Sequence, residues 1–366
     1  MPVPYLDLKT QHRAMMDEIL TDVKTILSDA WFVGGPFIEG FEAEFARRCG
    51  TKFAVAVNSG TAACRYAYYA CDFEPGDEII TVPNTFFATC EAAHMWCGGV
   101  RFIDIDPETY NMDPAGIESA INDDTRLIVP VHLYGLPCDM DPILEIANRR
   151  EIAVVEDACQ SHFASYKGRP VGSMGMASTF SFYPSKNLGA CGDAGAVVTS
   201  DPEIADGLRM MRDHGQKGRY NHIMVGDNGR MSAIQASILI RKMQRIDGWT
   251  EARIRVASSY KERLADIGGL KWQKVPDDRN HVYYMFVITH PEREKIAEEF
   301  DRCGIGYGFR GVKPLHLQEL YADIYAPGDF PHAERFAATM LALPIFPEMT
   351  EQQIEEVCGA VKRAVG

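Results

Sequence analysis

The sequence lacks any continuous run of about 18 to 20 apolar residues, the length that a membrane-spanning helix requires. Its first residues, Met1 to Asp7, contain neither a basic segment nor an apolar one, so we expect no secretory signal. Basic residues are also scarce, because 37 Lys and Arg stand against 51 Asp and Glu, a formal net charge of -14. This balance disfavours non-specific binding to nucleic acid or to anionic membranes. We therefore expect a cytoplasmic protein with no nucleic-acid or membrane partner.

Closely spaced cysteines are absent as well. The ten cysteines are scattered, with no Cys-x-x-Cys pair and no Cys/His cluster at the spacing of zinc ligands. We interpret them as small buried hydrophobic residues in a reducing compartment, and we predict no metal site.

The chain has 366 residues, more than a single hydrophobic core usually organises, which favours a large domain and a smaller one. We place these domains at residues 1–248, including an N-terminal arm, and 249–366. Seven short apolar runs in the first part, most of them separated by helical stretches, indicate a largely parallel α/β sheet covered on both faces. The runs are residues 53–57, 78–82, 100–105, 127–131, 152–156, 177–182 and 194–199.

In such sheets, ligands bind beyond the carboxyl ends of the strands. Residues 58–63, after the first run, place glycine and small hydroxyl residues at a helix start, which suits a phosphate, although an ordinary N-cap is the alternative. Phe86 follows the second run and is placed to stack on a planar ring or to join the core. Asp157 follows the fifth run, where an acid pairs with a protonated pyridine nitrogen or caps a helix.

Lys186 stands in an apolar run, residues 180–189, that opens into a glycine-rich segment. A desolvated lysine is a good nucleophile for an aldehyde, whereas a surface lysine in a loop is the alternative interpretation. Lys186 is accordingly the candidate Schiff-base lysine, provided that other cofactor-binding groups converge on it.

A phosphate loop, a stacking aromatic, an acid and a lysine, in that order, are the parts of a pyridoxal phosphate site. Seven motifs carry a closer likeness: Asn58-Ser59-Gly60-Thr61-Ala62-Ala63, Glu156-Asp157-Ala158-x-Gln160, Ser181-Phe182-x-x-x-Lys186, Gly192-Asp193-x-Gly195, Asn228-x-Arg230-Met231-Ser232, Pro314-Leu315-His316-Leu317-Gln318 and Leu343-Pro344-x-Phe346-Pro347. Over essentially its whole length the chain resembles the DegT/DnrJ/EryC1/StrS sugar aminotransferases. The resemblance implies the type I fold of pyridoxal phosphate enzymes, which is like that of aspartate aminotransferase. This α/β fold has a seven-stranded, mostly parallel sheet and a small α/β C-terminal domain.

The resemblance also implies residue roles. Lys186 forms the Schiff base with the cofactor and carries the proton between Cα of the amino donor and C4′ of the cofactor. Asp157 keeps the pyridine nitrogen protonated. The remaining cofactor contacts are Phe86 on the ring face, Gln160 near the phenolic oxygen, Gly60, Thr61 and Ser181 at the phosphate, and Asn228 at the phosphate of the neighbouring subunit. The last contact implies a homodimer with shared sites.

The activity implied is transfer of an amino group from L-glutamate, by way of pyridoxamine phosphate, to a nucleotide-linked ketosugar in amino-sugar biosynthesis. Related dehydratases have histidine in place of Lys186. Residues 181–196 and 214–222 are more similar to members that act on 3-keto sugars, such as 3-keto-6-deoxyhexoses, than on 4-keto sugars. A 4-ketosugar, a sugar phosphate or a cyclitol remains an alternative acceptor, and a non-catalytic regulatory protein is the alternative from another class.

Two stretches depart from the family pattern. Arg310 and Lys313 stand where many relatives have His-Tyr-Pro, and their cations would contact a diphosphate or a sugar phosphate unless the loop is simply solvated. His162 and its neighbour Phe163 replace a commoner small pair. The candidate substrate residues are Tyr183, Arg310, Lys313 and His316.

Overall fold

The computed structural model describes residues 2–308 and 311–366, and seven of its strands form one large sheet. Arg310 thus lies outside the described residues. The strands are β1 (Phe53–Val57), β2 (Glu78–Thr81), β3 (Gly99–Phe102), β4 (Thr125–Ile128), β5 (Ala153–Asp157), β6 (Ser165–Tyr166), β7 (Arg169–Pro170), β8 (Ala177–Ser181), β9 (Gly195–Thr199), β10 (Lys271–Trp272), β11 (Phe286–Thr289) and β12 (Met340–Leu343).

Helices separate most of the strands. None of the described helices has the length and apolar character needed to cross a membrane. The helices are α1 (Leu8–Arg13), α2 (Met16–Asp29), α3 (Pro36–Cys49), α4 (Gly60–Ala70), α5 (Ala88–His94), α6 (Ile117–Ala120), α7 (Met140–Arg150), α8 (Pro202–Met211), α9 (Ala233–Met243), α10 (Ile246–Leu264), α11 (Arg293–Cys303), α12 (Pro331–Thr339) and α13 (Glu351–Val365).

The large sheet has the strand order β1-β9-β8-β5-β4-β2-β3, so the prediction of a seven-stranded, mostly parallel sheet is confirmed. Strands β3, β2, β4, β5 and β8 run parallel, whereas β9 is antiparallel to both of its neighbours. Because two reversals restore the direction, β1 runs the same way as β8. The carboxyl ends of β1, β8 and β5 therefore lie at one edge of the sheet.

The apolar runs form central strands because both faces of the sheet are covered. Strand β1 has the sequence Phe-Ala-Val-Ala-Val, and four of its five residues are buried. One apolar cluster packs α4 and α5 on one face, and a second packs α3 and α9 on the other. Continuous rather than alternating hydrophobicity is typical of strands covered in this way.

A second sheet, β10-β11-β12, lies in the C-terminal part and packs with α11 and α13 around a third apolar cluster. Helix α13 begins with a capping box between Thr350 and Gln353, which satisfies free N–H groups of its first turn. The domain limit between residues 248 and 249 stays a prediction. It falls in the first turn of α10, so this helix would join the two parts.

Candidate active site

A cavity of about 740 Å³ opens at the shared edge where β1, β5 and β8 end. Side chains from the C-terminal part, including Met340 and Ile345, form part of its wall. A mostly apolar cavity with a few convergent polar groups is typical of a cofactor or substrate site. The predicted residues that it brings together are Gly60, Thr61, Phe86, Asp157, Gln160, Ser181, Tyr183 and Lys186.

Lys186 extends from the loop that follows β8. Its backbone N–H donates to the Tyr183 carbonyl at 2.8 Å, and the buried ammonium of Lys242 holds the same loop through the Gly189 carbonyl at 2.7 Å. The Nζ atom lies 4.2 Å from the centre of the Tyr284 ring. Within the described part of the chain, no carboxylate forms an ion pair with Lys186. The amine is therefore held in the cavity without a competing acid.

Asp157 ends β5 and is only 5% exposed. One carboxylate oxygen accepts a hydrogen bond from the Thr89 hydroxyl at 2.7 Å, and the other accepts from the Cys159 backbone N–H at 3.1 Å. No cationic side chain among residues 2–308 and 311–366 pairs with it. A buried carboxylate without a cation is costly, so this position suits a cationic group of a ligand.

Gly60 is the first residue of α4, and its position allows the helix start to approach β8. A Cβ atom on Gly60 would lie 2.6 Å from the Cβ atom of Ser181. The preceding Ser59 accepts a hydrogen bond from the Ala62 N–H at 3.1 Å, which caps the helix. The N–H groups of Gly60 and Thr61 precede the first intrahelical bonds, and with the Ser181 hydroxyl they form a cradle suited to an anion.

Gln160 and Phe86 lie on different walls of the cavity. The side-chain oxygen of Gln160 accepts a hydrogen bond from the backbone N–H of Tyr134 at 2.8 Å, so its amide NH₂ is available to a ligand. Phe86 precedes α5 and is 71% exposed, because its ring faces the cavity and its mouth rather than the core. This exposure removes the alternative that Phe86 is a core residue.

Asn228 does not line the cavity of its own chain. It lies in an exposed loop, where its backbone oxygen accepts a hydrogen bond from the side-chain amide of Asn58 at 3.3 Å. The hydrogen bonds described for Asn228 involve its backbone, and its contact with the phosphate of a neighbouring subunit stays a prediction.

The candidate substrate residues divide into two groups. Tyr183 is exposed and lines the cavity, whereas Lys313 is exposed outside its lining. His316 requires a correction: it is fully buried, and its Nε2 atom lies 3.1 Å from Glu334. A 3₁₀ turn directs the preceding Leu315 into the cavity and His316 away from it, so His316 is not in contact with the site.

Arg253 is a cavity residue that no sequence motif indicated. It comes from α10 and is 3% exposed, and its Nη1 atom donates to the carbonyls of Tyr283 and Ile345 at 3.1 and 2.9 Å. Burial lowers the pKa of Arg253 to about 10, so the group is still cationic at neutral pH. Among the described residues it is the second cation of the cavity, after Lys186.

His162 lies behind the cavity floor, not in it. Its Nε2 atom donates to the Ser181 carbonyl at 2.9 Å, and its ring packs against Phe180 and Phe182. Burial and the nearby charge of Lys186 lower the pKa of His162 to about 3, so the ring is neutral. The His162 departure from the family pattern therefore supports the strand that carries Ser181 and contributes no side chain to the cavity.

Three curated relatives match the chain over nearly its full length. A pleiotropic regulatory protein of Geobacillus stearothermophilus is 39% identical, over 98% of this chain and 97% of that protein. The dTDP-3-amino-3,4,6-trideoxy-alpha-D-glucose transaminase of Streptomyces venezuelae is 38% identical, over 98% and 95%. The UDP-N-acetyl-3-dehydro-alpha-D-glucosamine 3-aminotransferase of Acidithiobacillus ferrooxidans is 38% identical, over 99% and 98%.

Solved structures agree in fold. DesV of S. venezuelae, crystallised with a reaction intermediate, superposes with a TM-score of 0.96 at 38% identity, over 99% of this chain and 98% of that one. NtdA of Bacillus subtilis, crystallised with bound pyridoxamine phosphate, gives a TM-score of 0.89 at 30% identity, over 96% and 82%. The fold is thus that of the type I pyridoxal phosphate enzymes.

The cavity fits this cofactor chemically. It offers a lysine amine, a buried carboxylate that lacks a cation, and a helix start that only glycine can bring against Ser181. Pyridoxal phosphate is the cofactor, and aminotransfer is the activity of this enzyme class. The model of the DegT/DnrJ/EryC1/StrS aminotransferase family matches residues 13–362, and the chain belongs to that family.

Proposed function

We propose that the enzyme transfers an amino group from L-glutamate to C-3 of a nucleotide-linked 3-ketohexose, such as a 3-keto-6-deoxyhexose. The observation that carries this proposal is the convergence of Lys186 and Asp157 in one cavity of a chain whose relatives form 3-amino sugars on dTDP or UDP. A further relative, from Aneurinibacillus thermoaerophilus, is a dTDP-3-amino-3,6-dideoxy-alpha-D-galactopyranose transaminase.

Asp157 would hold the ring nitrogen of the cofactor in its protonated form. The bound cofactor supplies an electron sink for the negative charge that develops when Cα of the amino donor loses its proton. The Thr89 hydroxyl and the Cys159 N–H orient the carboxylate, because each donates a hydrogen bond to one of its two oxygens. Phe86 would cover one ring face, and Gln160 would contact the phenolic oxygen.

Lys186 would take the proton from Cα of the donor and return it at C4′ of the cofactor. The geometry supports this role because the loop is held from both sides and the amine has no acid partner. The Tyr284 ring, with its centre 4.2 Å from Nζ, covers that side of the amine. Gly60, Thr61 and Ser181 would hold the phosphate at the opposite end of the cofactor.

L-Glutamate is the proposed donor because the cavity contains a second buried cation. The Arg253 guanidinium uses Nη1 on two backbone carbonyls, which leaves its other N–H groups for a carboxylate. A buried guanidinium is well suited to bind a carboxylate through two hydrogen bonds. The acceptor sugar would then enter through the mouth between Tyr183 and Val312.

A homodimer is part of the proposal. The loop that carries Asn228 also exposes large apolar side chains, with Tyr220 77% and Val225 85% exposed. Trp31, Phe32 and Val33 are about half exposed, and Val33 pairs with Ser232 beyond the same loop. Contiguous exposed apolar surface marks an interaction site, and a second copy would bring Asn228 to the neighbouring phosphate.

We assign the enzyme to the cytoplasm. All ten cysteines are free, which fits a reducing compartment. The negatively charged composition gives no support to a nucleic-acid or anionic membrane partner.

One relative is named a regulatory protein, so a non-catalytic role is the second candidate. A protein that only bound the cofactor would use the same Lys186 and Asp157, so turnover of L-glutamate is what distinguishes the enzyme from such a protein. The catalytic alternatives differ only in the acceptor, because a 4-ketosugar, a sugar phosphate or a cyclitol would use the same cofactor chemistry. A test must therefore compare acceptors.

The test runs the half-reaction backwards. The cofactor-loaded protein is titrated with a nucleoside-diphosphate 3-amino-3,6-dideoxyhexose and, separately, with its 4-amino isomer, while the visible absorbance of the bound cofactor is recorded. Loss of absorbance with the 3-amino sugar alone supports the proposal. Loss with the 4-amino isomer alone overturns the C-3 assignment, and loss with neither points to a sugar phosphate or a cyclitol.

A further inference from the structure

Two cysteines meet the Asp157 carboxylate at the cavity floor. Cys64 lies on α4, next to the phosphate cradle, and Cys159 lies two residues after Asp157. The two Sγ atoms and one carboxylate oxygen of Asp157 all lie within 4.8 Å of one another. Sequence spacing did not reveal this group, because Cys64 is far from the other two residues along the chain.

The two thiols lie near each other as well as at the cavity. Their sulfur atoms are within 4.8 Å of each other, and the Thr179 hydroxyl lies 3.5 Å from Cys64 Sγ and 4.0 Å from Cys159 Sγ. Both cysteines line the cavity, so a small ion can reach them when the cofactor is not bound. Other free cysteines, such as Cys97, have no such partners among the described residues.

The carboxylate needs a positive charge. Asp157 is 5% exposed and pairs with no cationic side chain in the described part of the chain. In the loaded enzyme, the protonated ring of the cofactor would supply that charge. Without the cofactor, a cation of another kind would lower the cost of this buried carboxylate.

Zinc ions match the donor set. Zn²⁺ prefers four tetrahedral ligands, with Zn–S distances of about 2.3 Å and Zn–O distances of about 2.0 to 2.2 Å. Ligand sulfurs at that distance lie about 3.8 Å apart, so the observed group must contract by about 1 Å at most. Three protein ligands leave the fourth position for a water molecule from the cavity.

We propose that the cofactor-free protein binds one thiophilic divalent cation through Cys64, Cys159 and Asp157, and that this cation and the cofactor exclude each other. Both thiols release their protons to solvent when the ion binds. Two thiolates and one carboxylate then surround two positive charges. The ion occupies the side of Asp157 that the ring nitrogen would use, so metal availability would control cofactor loading. The exclusion rests on the proposed role of Asp157, whereas the affinity for metal does not.

The test uses the full-length protein after removal of the cofactor, with Zn²⁺ as the probe and a chromophoric chelator as competitor. We expect one tightly bound Zn²⁺ per chain, and at least a roughly hundredfold loss of affinity in Cys64→Ala and in Cys159→Ala. Cys97→Ser, an exposed control, should bind as the wild type does. Equal binding by all three variants, or the absence of a stoichiometric site in the wild type, would overturn the proposal.

Two measurements on the wild type do not depend on how the variants fold. Zn²⁺ should protect Cys64 and Cys159 from alkylation, as read by mass spectrometry of the peptides. Added pyridoxal phosphate should release the ion in a one-to-one ratio. Alkylation that Zn²⁺ leaves unchanged contradicts the site itself. Zinc that stays bound while the cofactor loads contradicts the exclusion and the assignment of Asp157, and leaves the aminotransferase activity as a separate matter.

Discussion

The Thr89 hydroxyl donates a 2.7 Å hydrogen bond to the Asp157 carboxylate. The Thr89 hydroxyl has only one hydrogen, and the bond to Asp157 uses it. The Thr85 hydroxyl, 3.0 Å from that of Thr89, is therefore the donor in the bond between the two threonines. A short chain of hydrogen bonds thus runs from the start of α5 to the end of β5. Such a chain orients the carboxylate.

Replacing Thr89 with valine should weaken the hold of the enzyme on its cofactor. A hydrogen bond to a charged group contributes about 1.5 to 3 kcal/mol, so the dissociation constant of pyridoxal phosphate should rise by about tenfold to a hundredfold. Thr81→Val is the matched control. Thr81 is a buried strand threonine outside the cavity lining, and its hydroxyl donates a 2.9 Å hydrogen bond to the Val129 carbonyl. Absorbance titration measures both variants, and equal dissociation constants would contradict this role of Thr89.

Lys186→Ala should bind the cofactor but not turn over. The loss removes both the Schiff-base amine and the proton carrier, so we expect the rate to fall by at least about 10⁴-fold. Lys271→Ala, an exposed lysine on β10, should retain wild-type rates. Stopped-flow absorbance with glutamate measures the half-reaction, and measurable transamination by Lys186→Ala would remove Lys186 from its role. A wild type that is as inactive as Lys186→Ala would instead strengthen the regulatory alternative.

Gly60→Ala should weaken phosphate binding. The added methyl group would lie 2.6 Å from the Ser181 Cβ atom, which forces the start of α4 away from β8. Overpacking of this kind costs about 1 to 3 kcal/mol, equivalent to about fivefold to a hundredfold in cofactor affinity. Gly207→Ala in α8 has open space around its Cβ position and should raise the melting temperature slightly. Unchanged cofactor affinity in Gly60→Ala would argue against the cradle.

Arg253→Lys should impair the half-reaction with L-glutamate more than the half-reaction with the amino sugar. Lysine keeps the positive charge but cannot hold two backbone carbonyls and a carboxylate at once, so KM for L-glutamate should rise by about tenfold or more. The reverse half-reaction with the amino sugar should change much less, because the proposed sugar carries no carboxylate at that point. Equal effects on both half-reactions would mean that Arg253 acts only through the fold.

The sheet and the position of several cavity residues could be predicted from the sequence for a physical reason, whereas their contacts with the cofactor stay predictions. Continuous apolar runs specify buried strands, and ligand groups in such sheets follow the carboxyl ends of those strands. Asp157, Ser181 and Lys186 each follow a strand or end it, so their convergence is encoded locally.

Other parts of the site depend on packing between distant segments. Arg253 reaches the cavity from the middle of α10, where its spacing is that of any helix face. Cys64 meets Cys159 only because α4 packs beside the end of β5. His316 lies away from the cavity that Leu315 lines because a 3₁₀ turn rotates successive side chains by about 120°, and the motif alone does not specify this turn.

His162 should make the native state sensitive to acid. Its pKa falls from 6.5 to about 3 on folding, so the unfolded chain binds more protons between these values. The stabilisation is therefore complete above pH 6.5 and is lost as pH falls towards 3, by about 2 kcal/mol between pH 6.5 and 5.

His162→Gln keeps a donor for the Ser181 carbonyl but has no titrating ring, so its unfolding free energy should fall less over that interval. Urea unfolding at both pH values measures the difference, with the exposed His332→Gln as control. Parallel losses in wild type and His162→Gln would show that His162 is not the acid-sensitive group, and that other buried histidines, such as His281, carry the effect.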